Sequence, residues 1–134
     1  MRPRAAAALM AAALLAAGCG VAPDSGVEGI VMAGPMCPGP MRQGHPCPDR
    51  AVAVHLQALR FPPGFTGVPT PQRARLVARF ASAAGGRFRV ALPPGAYLLY
   101  GDRRLTGYMV CQASVTVPPR GWAHATVVCD TGLR

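Results

Sequence analysis

Fourteen arginines, five cysteines and a methionine-rich loop are the residues whose types and spacing could do chemistry in this chain. It contains no Lys and no Asn, so every fixed basic charge is a guanidinium; five acidic residues oppose them and the formal net charge is +9. Arg pairs bidentately with carboxylate, phosphate and sulfate, so a cluster of arginines is a candidate anion site. Arg75, Arg79, Arg87 and Arg89 fall on two alternating segments, 75–81 and 87–92. Folded as a hairpin, those segments put all four on one outer face with no acidic residue on either strand. Like charges across a hairpin are mildly destabilising, and the plainer reading is a solvated face in an Arg-biased composition of the GC-rich kind. A second candidate is the loop bearing Arg60, Phe61, Phe65, Arg73 and Arg75. Its aromatics could stack on sugar rings or dip into a bilayer, although folding back to cap the open edge of the fold is the favoured reading. A third is Trp122, which shares one face with His124 and Thr126: either a sugar platform or the cover of a half-exposed sheet. A fourth is the crowd Met32, Met36, Cys37, Met41, His45 and Cys47. Thioether, thiolate and imidazole suit Cu(I), but oxidised cysteines cannot ligate and Met is a common gap-filler, so copper handling ranks last.

Catalytic patterns are missing. Ser25, Ser82 and Ser114 stand in no nucleophile-elbow setting, the five acidic residues form no acid/base pair, and three isolated His have no zinc spacing. The expectation is a non-enzyme without cofactor or metal.

Cys19 sets the compartment. It ends Leu14-Leu15-Ala16-Ala17-Gly18-Cys19, after an Ala/Leu/Met run that follows Arg2 and Arg4. The run is shorter than the roughly 20 apolar residues of a spanning helix and has the parts of a signal peptide. The segment resembles the lipobox of bacterial lipoproteins, with Ala16 where Leu is more usual. That resemblance implies diacylglycerol on Cys19 and an extracytoplasmic protein anchored to the cell membrane, or to the outer membrane of a diderm. The expected organisation is a signal peptide at 1–18, a tether at 19–26 and one domain at 27–134. A net positive body beside a membrane is drawn to anionic lipids or acidic envelope polymers. Nucleic acid is excluded as a partner by the export signal.

Four cysteines remain for two disulfides. Of three connectivities, Cys37–Cys47 with Cys111–Cys129 is favoured. Val115-Thr116-Val117 and Ala123 to Val127 read as strands about Pro118-Pro119-Arg120-Gly121. A hairpin centred on Arg120 sets position 111 opposite 129, close enough for a disulfide. Cys37–Cys47 would staple a Pro/Gly loop that has no core of its own.

The elements that must position these residues are short strands. The opening strand is 27–33. Val52, Val54, Leu56 and Ala58 alternate inward in 51–58; Leu76, Ala78 and Phe80 do so in 75–81; Phe88, Val90 and Leu92 do so in 87–92. A loop spans 60–72, a strand 96–101, a second loop 102–106, and the leader is the one helix-like run. The fold class is all-β: one antiparallel sandwich of about seven strands.

Gly85-Gly86-Arg87-Phe88-Arg89-Val90-Ala91-Leu92-Pro93-Pro94-Gly95-Ala96-Tyr97-Leu98-Leu99 is similar to the carboxypeptidase-regulatory-like domains, with Val27 to Val31 and the closing hairpin in agreement. The resemblance implies a transthyretin-like (prealbumin-like) sandwich and a non-catalytic accessory or binding role. It also excludes two relatives' chemistries: Lys–Asn isopeptide crosslinking lacks both residues, and the chain's end lacks the Tyr-Arg-Gly-Ser motif of the hydroxyisourate hydrolases. The leading functional expectation is a lipid-anchored envelope binding or structural module that contacts anionic polymer or membrane. The alternative is a carbohydrate-binding module using Trp122, Phe61 and Phe65.

Overall fold

The computed structural model describes residues 24–36 and 47–132. The leader, the lipobox, most of the methionine loop with Met41 and His45, and Cys37 lie outside the described residues.

The strands are β1 (Ser25–Gly34), β2 (Arg50–Ala51), β3 (His55–Arg60), β4 (Arg75–Ala81), β5 (Arg87–Ala91), β6 (Gly95–Gly101), β7 (Val110–Val117) and β8 (Gly121–Asp130). They form one curled sheet in the order β2-β1-β8-β7-β6-β3-β4, with β5 also on β1. The all-β sandwich is the observed fold, but it is mixed rather than purely antiparallel. β1 and β8 run parallel along their whole length, from Ser25 opposite Gly121 to Gly34 opposite Asp130. A pairing of strands so far apart in the chain leaves no local trace in the sequence.

The two layers meet at one corner. β7 pairs with β8 only at Val110, Cys111 and Gln112, opposite Asp130, Cys129 and Val128. Beyond that corner β7 follows β6 and β8 follows β1. The disulfide Cys111–Cys129 closes the corner, both residues fully buried, as the hairpin register requires. Cys47 is also disulfide-bonded.

Alternation puts Val27, Val31, Leu56, Phe88, Val90, Leu92, Tyr97, Leu99 and Val127 into one core. Each such side chain contributes about 1.5–3 kcal/mol by leaving water. Three local features depart from the sequence reading. β1 starts at Ser25, whose buried hydroxyl donates to Leu92 O at 2.7 Å. The expected strand 51–58 is broken between β2 and β3, because the Ser82 hydroxyl donates to Val52 O and accepts from Val54 N. The expected loop at 102–106 holds a one-turn helix, α1 (Arg103–Thr106), nucleated by the Asp102 carboxylate, which accepts from the Arg104 and Leu105 amides.

A bulge in β4 has the largest effect on the surface. Ala78 faces Ala58, yet Leu76 faces Leu59, so Val77 is an extra residue. Val77, Ala78 and Phe80 pack on the core while Leu76 turns out, half-exposed, against the expectation that Leu76 faces in.

Candidate functional site

The Pro-Pro-Gly turn is the best-built polar feature among the described residues. Tyr97, the third residue of β6, lies opposite Arg60, which ends β3. The Tyr97 ring is 1 % exposed, and its hydroxyl donates back to Pro93 O at 2.7 Å. This is the logic of a tyrosine corner, in which a buried Tyr locks the chain just upstream of its strand. Arg60 Nη2 donates to Pro94 O, also at 2.7 Å. Two successive carbonyls of the turn are thus held by two paired residues. Gly95 makes this geometry accessible: its φ is +151°, and a Cβ there would lie 2.8 Å from Arg60 Nε. Burial pushes the Tyr97 phenol above its ordinary value, and the Arg60 and Arg75 guanidiniums oppose that rise.

Outside this corner lies a cleft of about 590 Å³ lined by Arg60, Phe61, Pro62, Pro63, Gln72, Arg73, Ala74 and Arg75. A 3-10 turn, Pro71–Arg73, delivers Arg73 to its rim, and Arg75 begins β4 directly after. No acidic residue lines it. No Asp or Glu occurs anywhere between Asp49 and Asp102, a stretch that holds seven arginines. The cleft therefore offers guanidiniums with no internal counter-charge beside an apolar wall, an arrangement suited to a carboxylate or phosphate group.

No family model, no curated protein and no solved structure matches this chain.

The other expected sites are rearranged. Arg75, Arg79, Arg87 and Arg89 do not share a face. β4 and β5 form no ladder: β4 pairs with β3, and β5 crosses to β1 in the other layer. The apolar residues explain it. Phe80 and Phe88 must both point into the core, where their rings meet at 5.2 Å. A flat hairpin would put both on one face of a single sheet, whereas crossing between layers lets them meet from opposite sides. The bulge further separates the pair on β4. Arg75 lies beside Arg60 and Arg79 beside Gln57, in register with opposite faces of the sheet.

Phe61 and Phe65 follow the capping reading. Their rings stack at 4.9 Å and 11°, and they join Leu59 and Leu98 in a satellite core. Phe61 is 6 % exposed. It offers no free ring face to a sugar or bilayer and serves as the cleft's wall.

Trp122, His124 and Thr126 share the outer face of β8, opposite buried Val127 and Cys129. The Trp122 indole lies across Gly26 of β1, where a Cβ would stand 2.5 Å from its Cζ3. The Arg89 guanidinium sits 3.8 Å from the indole centroid, a cation–π contact. One row along, Glu28 lies between Arg89 and His124 in register, with His124 Nδ1 3.6 Å from Glu28 Oε1. This face carries both signs of charge, and one face of its Trp is occupied.

Among the described residues no group of three or more His, Cys, Asp or Glu could hold a metal ion. Of the methionine cluster, Met36 packs on the core.

What the sequence reading lacked was the role of Arg60. It stood in the loop candidate as one of several cations, whereas its contact with Pro94 spans 34 residues. The available signal was Pro-Pro-Gly before Tyr, a turn whose carbonyls need donors. Which residues would supply them is fixed by the β3–β6 register, which a single sequence does not display.

Proposed function

We propose that this protein is a non-catalytic, lipid-anchored module of the bacterial cell envelope, with a carboxypeptidase-regulatory-like sandwich that captures anionic groups in the Arg60–Arg73–Arg75 cleft. The carrying observation is that cleft: three arginines, an apolar wall and no carboxylate. The leader ending at Cys19 supports the anchor and the compartment. The Pro-Pro-Gly-Ala-Tyr corner supports the family reading, because every residue of that motif has a defined part in it, Ala96 by accepting from the Phe61 amide. Presentation on a lipid tether at a polyanionic surface makes weak individual contacts effective through high local concentration.

The test is binding of the full-length oxidised protein to inorganic polyphosphate, polygalacturonate and neutral dextran, at low and high salt. The expected result is binding to the two polyanions that weakens with salt and drops on the order of tenfold in the Arg73→Ala/Arg75→Ala double variant, with folding unchanged. Equal polyanion binding by that variant defeats the cleft assignment, and salt-resistant dextran binding moves the site to Trp122. The anchor is tested by Cys19→Ser, which is expected to abolish incorporation of labelled palmitate and to release the protein from the membrane fraction.

A further inference from the structure

We infer that the open edge of β4 is a docking strand for an acidic extended peptide segment of another envelope protein, which joins the sheet by antiparallel strand addition. β4 is the last strand of the sheet order, and among the described residues its ladder is made to β3 alone. Apart from that ladder, no backbone group of Arg75–Ala81 hydrogen-bonds to another of the described residues. Seven extended residues present a row of backbone donors and acceptors about 23 Å long.

The choice of occupant follows from charge. β4 carries Arg75 and Arg79, both exposed. No acidic residue lies on β3, β4, β5 or β6. A second copy of this chain is a poor occupant: its own β4 would bring only Arg75 and Arg79 to the edge, with no acidic side chain to answer those of the first copy. The same arginines that keep the edge from self-pairing favour a partner strand with Asp or Glu on the Arg79 face, since the bulge sends Arg75 to the other side, into the cleft lining. The edge and the cleft have Arg75 in common. Arg79 lies outside the cleft lining, so the two sites can be tested separately.

The experiment uses the full-length oxidised protein and two synthetic peptides: an alternating Val/Glu nonapeptide, and the same peptide N-methylated at alternate residues. N-methylation keeps the charge and removes the donors on one edge. The expected result is binding of the first peptide with slowed amide exchange at Arg75–Ala81, and binding on the order of tenfold weaker for the N-methylated peptide as ladder bonds are lost. Arg79→Glu is expected to weaken the acidic peptide and to favour an alternating Val/Arg peptide instead. Equal affinity for both acidic peptides, or exchange that slows only at residues 60–63 and 72–75, overturns strand addition while leaving polyanion capture in the cleft intact. No binding of either peptide overturns it as well. Conversely, if Arg73→Ala/Arg75→Ala does not alter polyphosphate binding but the Val/Glu peptide still protects β4, the cleft reading fails and the edge reading stands.

Discussion

The two arginine-bearing surfaces of this molecule are built from the same residue type and differ in what answers the charge. On the face of β5, β1 and β8, Arg89 rests on the Trp122 ring and has Glu28 beside it in register. On the Pro-Pro-Gly end, Arg60 is held by one turn carbonyl while Arg73 and Arg75 line a cleft without a carboxylate. The first arrangement satisfies its cation internally; the second leaves cations to be satisfied from outside. Counting arginines therefore says little about binding, and the position of the counter-charge decides it. The partition arises because β4 and β5, adjacent in sequence, enter different layers.

The contrast breaks most severely at Gly95. A side chain there meets a left-handed backbone and the Arg60 guanidinium at once. Gly95→Ala is expected to destabilise by about 2 kcal/mol and to lower polyanion binding by displacing Arg60, measured by urea unfolding and by binding on the same sample. Gly64→Ala, at positive φ in open space, serves as the control that carries backbone strain without touching Arg60. If the two variants lose polyanion affinity equally, Arg60 does not organise the cleft.

The next effect is on affinity alone. Arg73→Ala/Arg75→Ala is expected to lose on the order of tenfold in polyphosphate affinity, about 1.4 kcal/mol, and Arg87→Ala/Arg89→Ala less than about threefold, because both pairs remove the same net charge but only the first removes it from the cleft. Equal losses would mean that the field of the whole body, not the cleft, draws the polymer.

Much of the fold was legible because it rests on local period and local turns. Phe88, Val90 and Leu92 alternate inward as read, and Cys111 meets Cys129 in the register expected of a turn about Arg120, although the two strands pair only at that far end and separate into different layers near the turn. Pro93-Pro94-Gly95 could be placed as a turn for the same reason. The site was less legible, since it depends on which strands become neighbours. The four-arginine face was inferred from a chain-adjacent hairpin, and the requirement that Phe80 and Phe88 face each other across the core defeats it. The flip of Leu76 needs a bulge that only the β3 partner reveals. Arg60, Arg73 and Arg75 read in the sequence as loop cations, and their joint cleft exists because β3 ends where β4 begins.

A smaller test addresses the corner that supports the cleft. Tyr97→Phe removes one hydroxyl and its bond to Pro93 O, an expected loss of about 1 kcal/mol at neutral pH. The raised phenol also sets a pH signature. The folded state holds the Tyr97 proton more tightly than the unfolded state does. The stabilisation is therefore complete below the unfolded value of about 10 and fades as pH rises through the higher folded value. Urea midpoints of the parent and of Tyr97→Phe should converge above about pH 10. A gap that stays constant into the alkaline range would mean that folding does not raise the phenol, and no gap at neutral pH would mean that the bond to Pro93 O contributes nothing.

The smallest expected effect falls on the satisfied face and sharpens the contrast most directly. Arg89→Ala removes the guanidinium from the Trp122 ring at an exposed site, where such contacts are worth about 0.5 kcal/mol. Trp122 is the chain's one tryptophan, so its emission reports this contact without interference. The expected outcome is a changed emission maximum, a small shift in unfolding midpoint and unaltered polyphosphate binding. Freeing the ring also uncovers the face a sugar would need. If Arg89→Ala gains affinity for neutral glycans that the parent lacks, Arg89 is an occupant holding a carbohydrate platform closed. If it gains none, the indole serves to cover Gly26, and the face has no ligand of that class to lose.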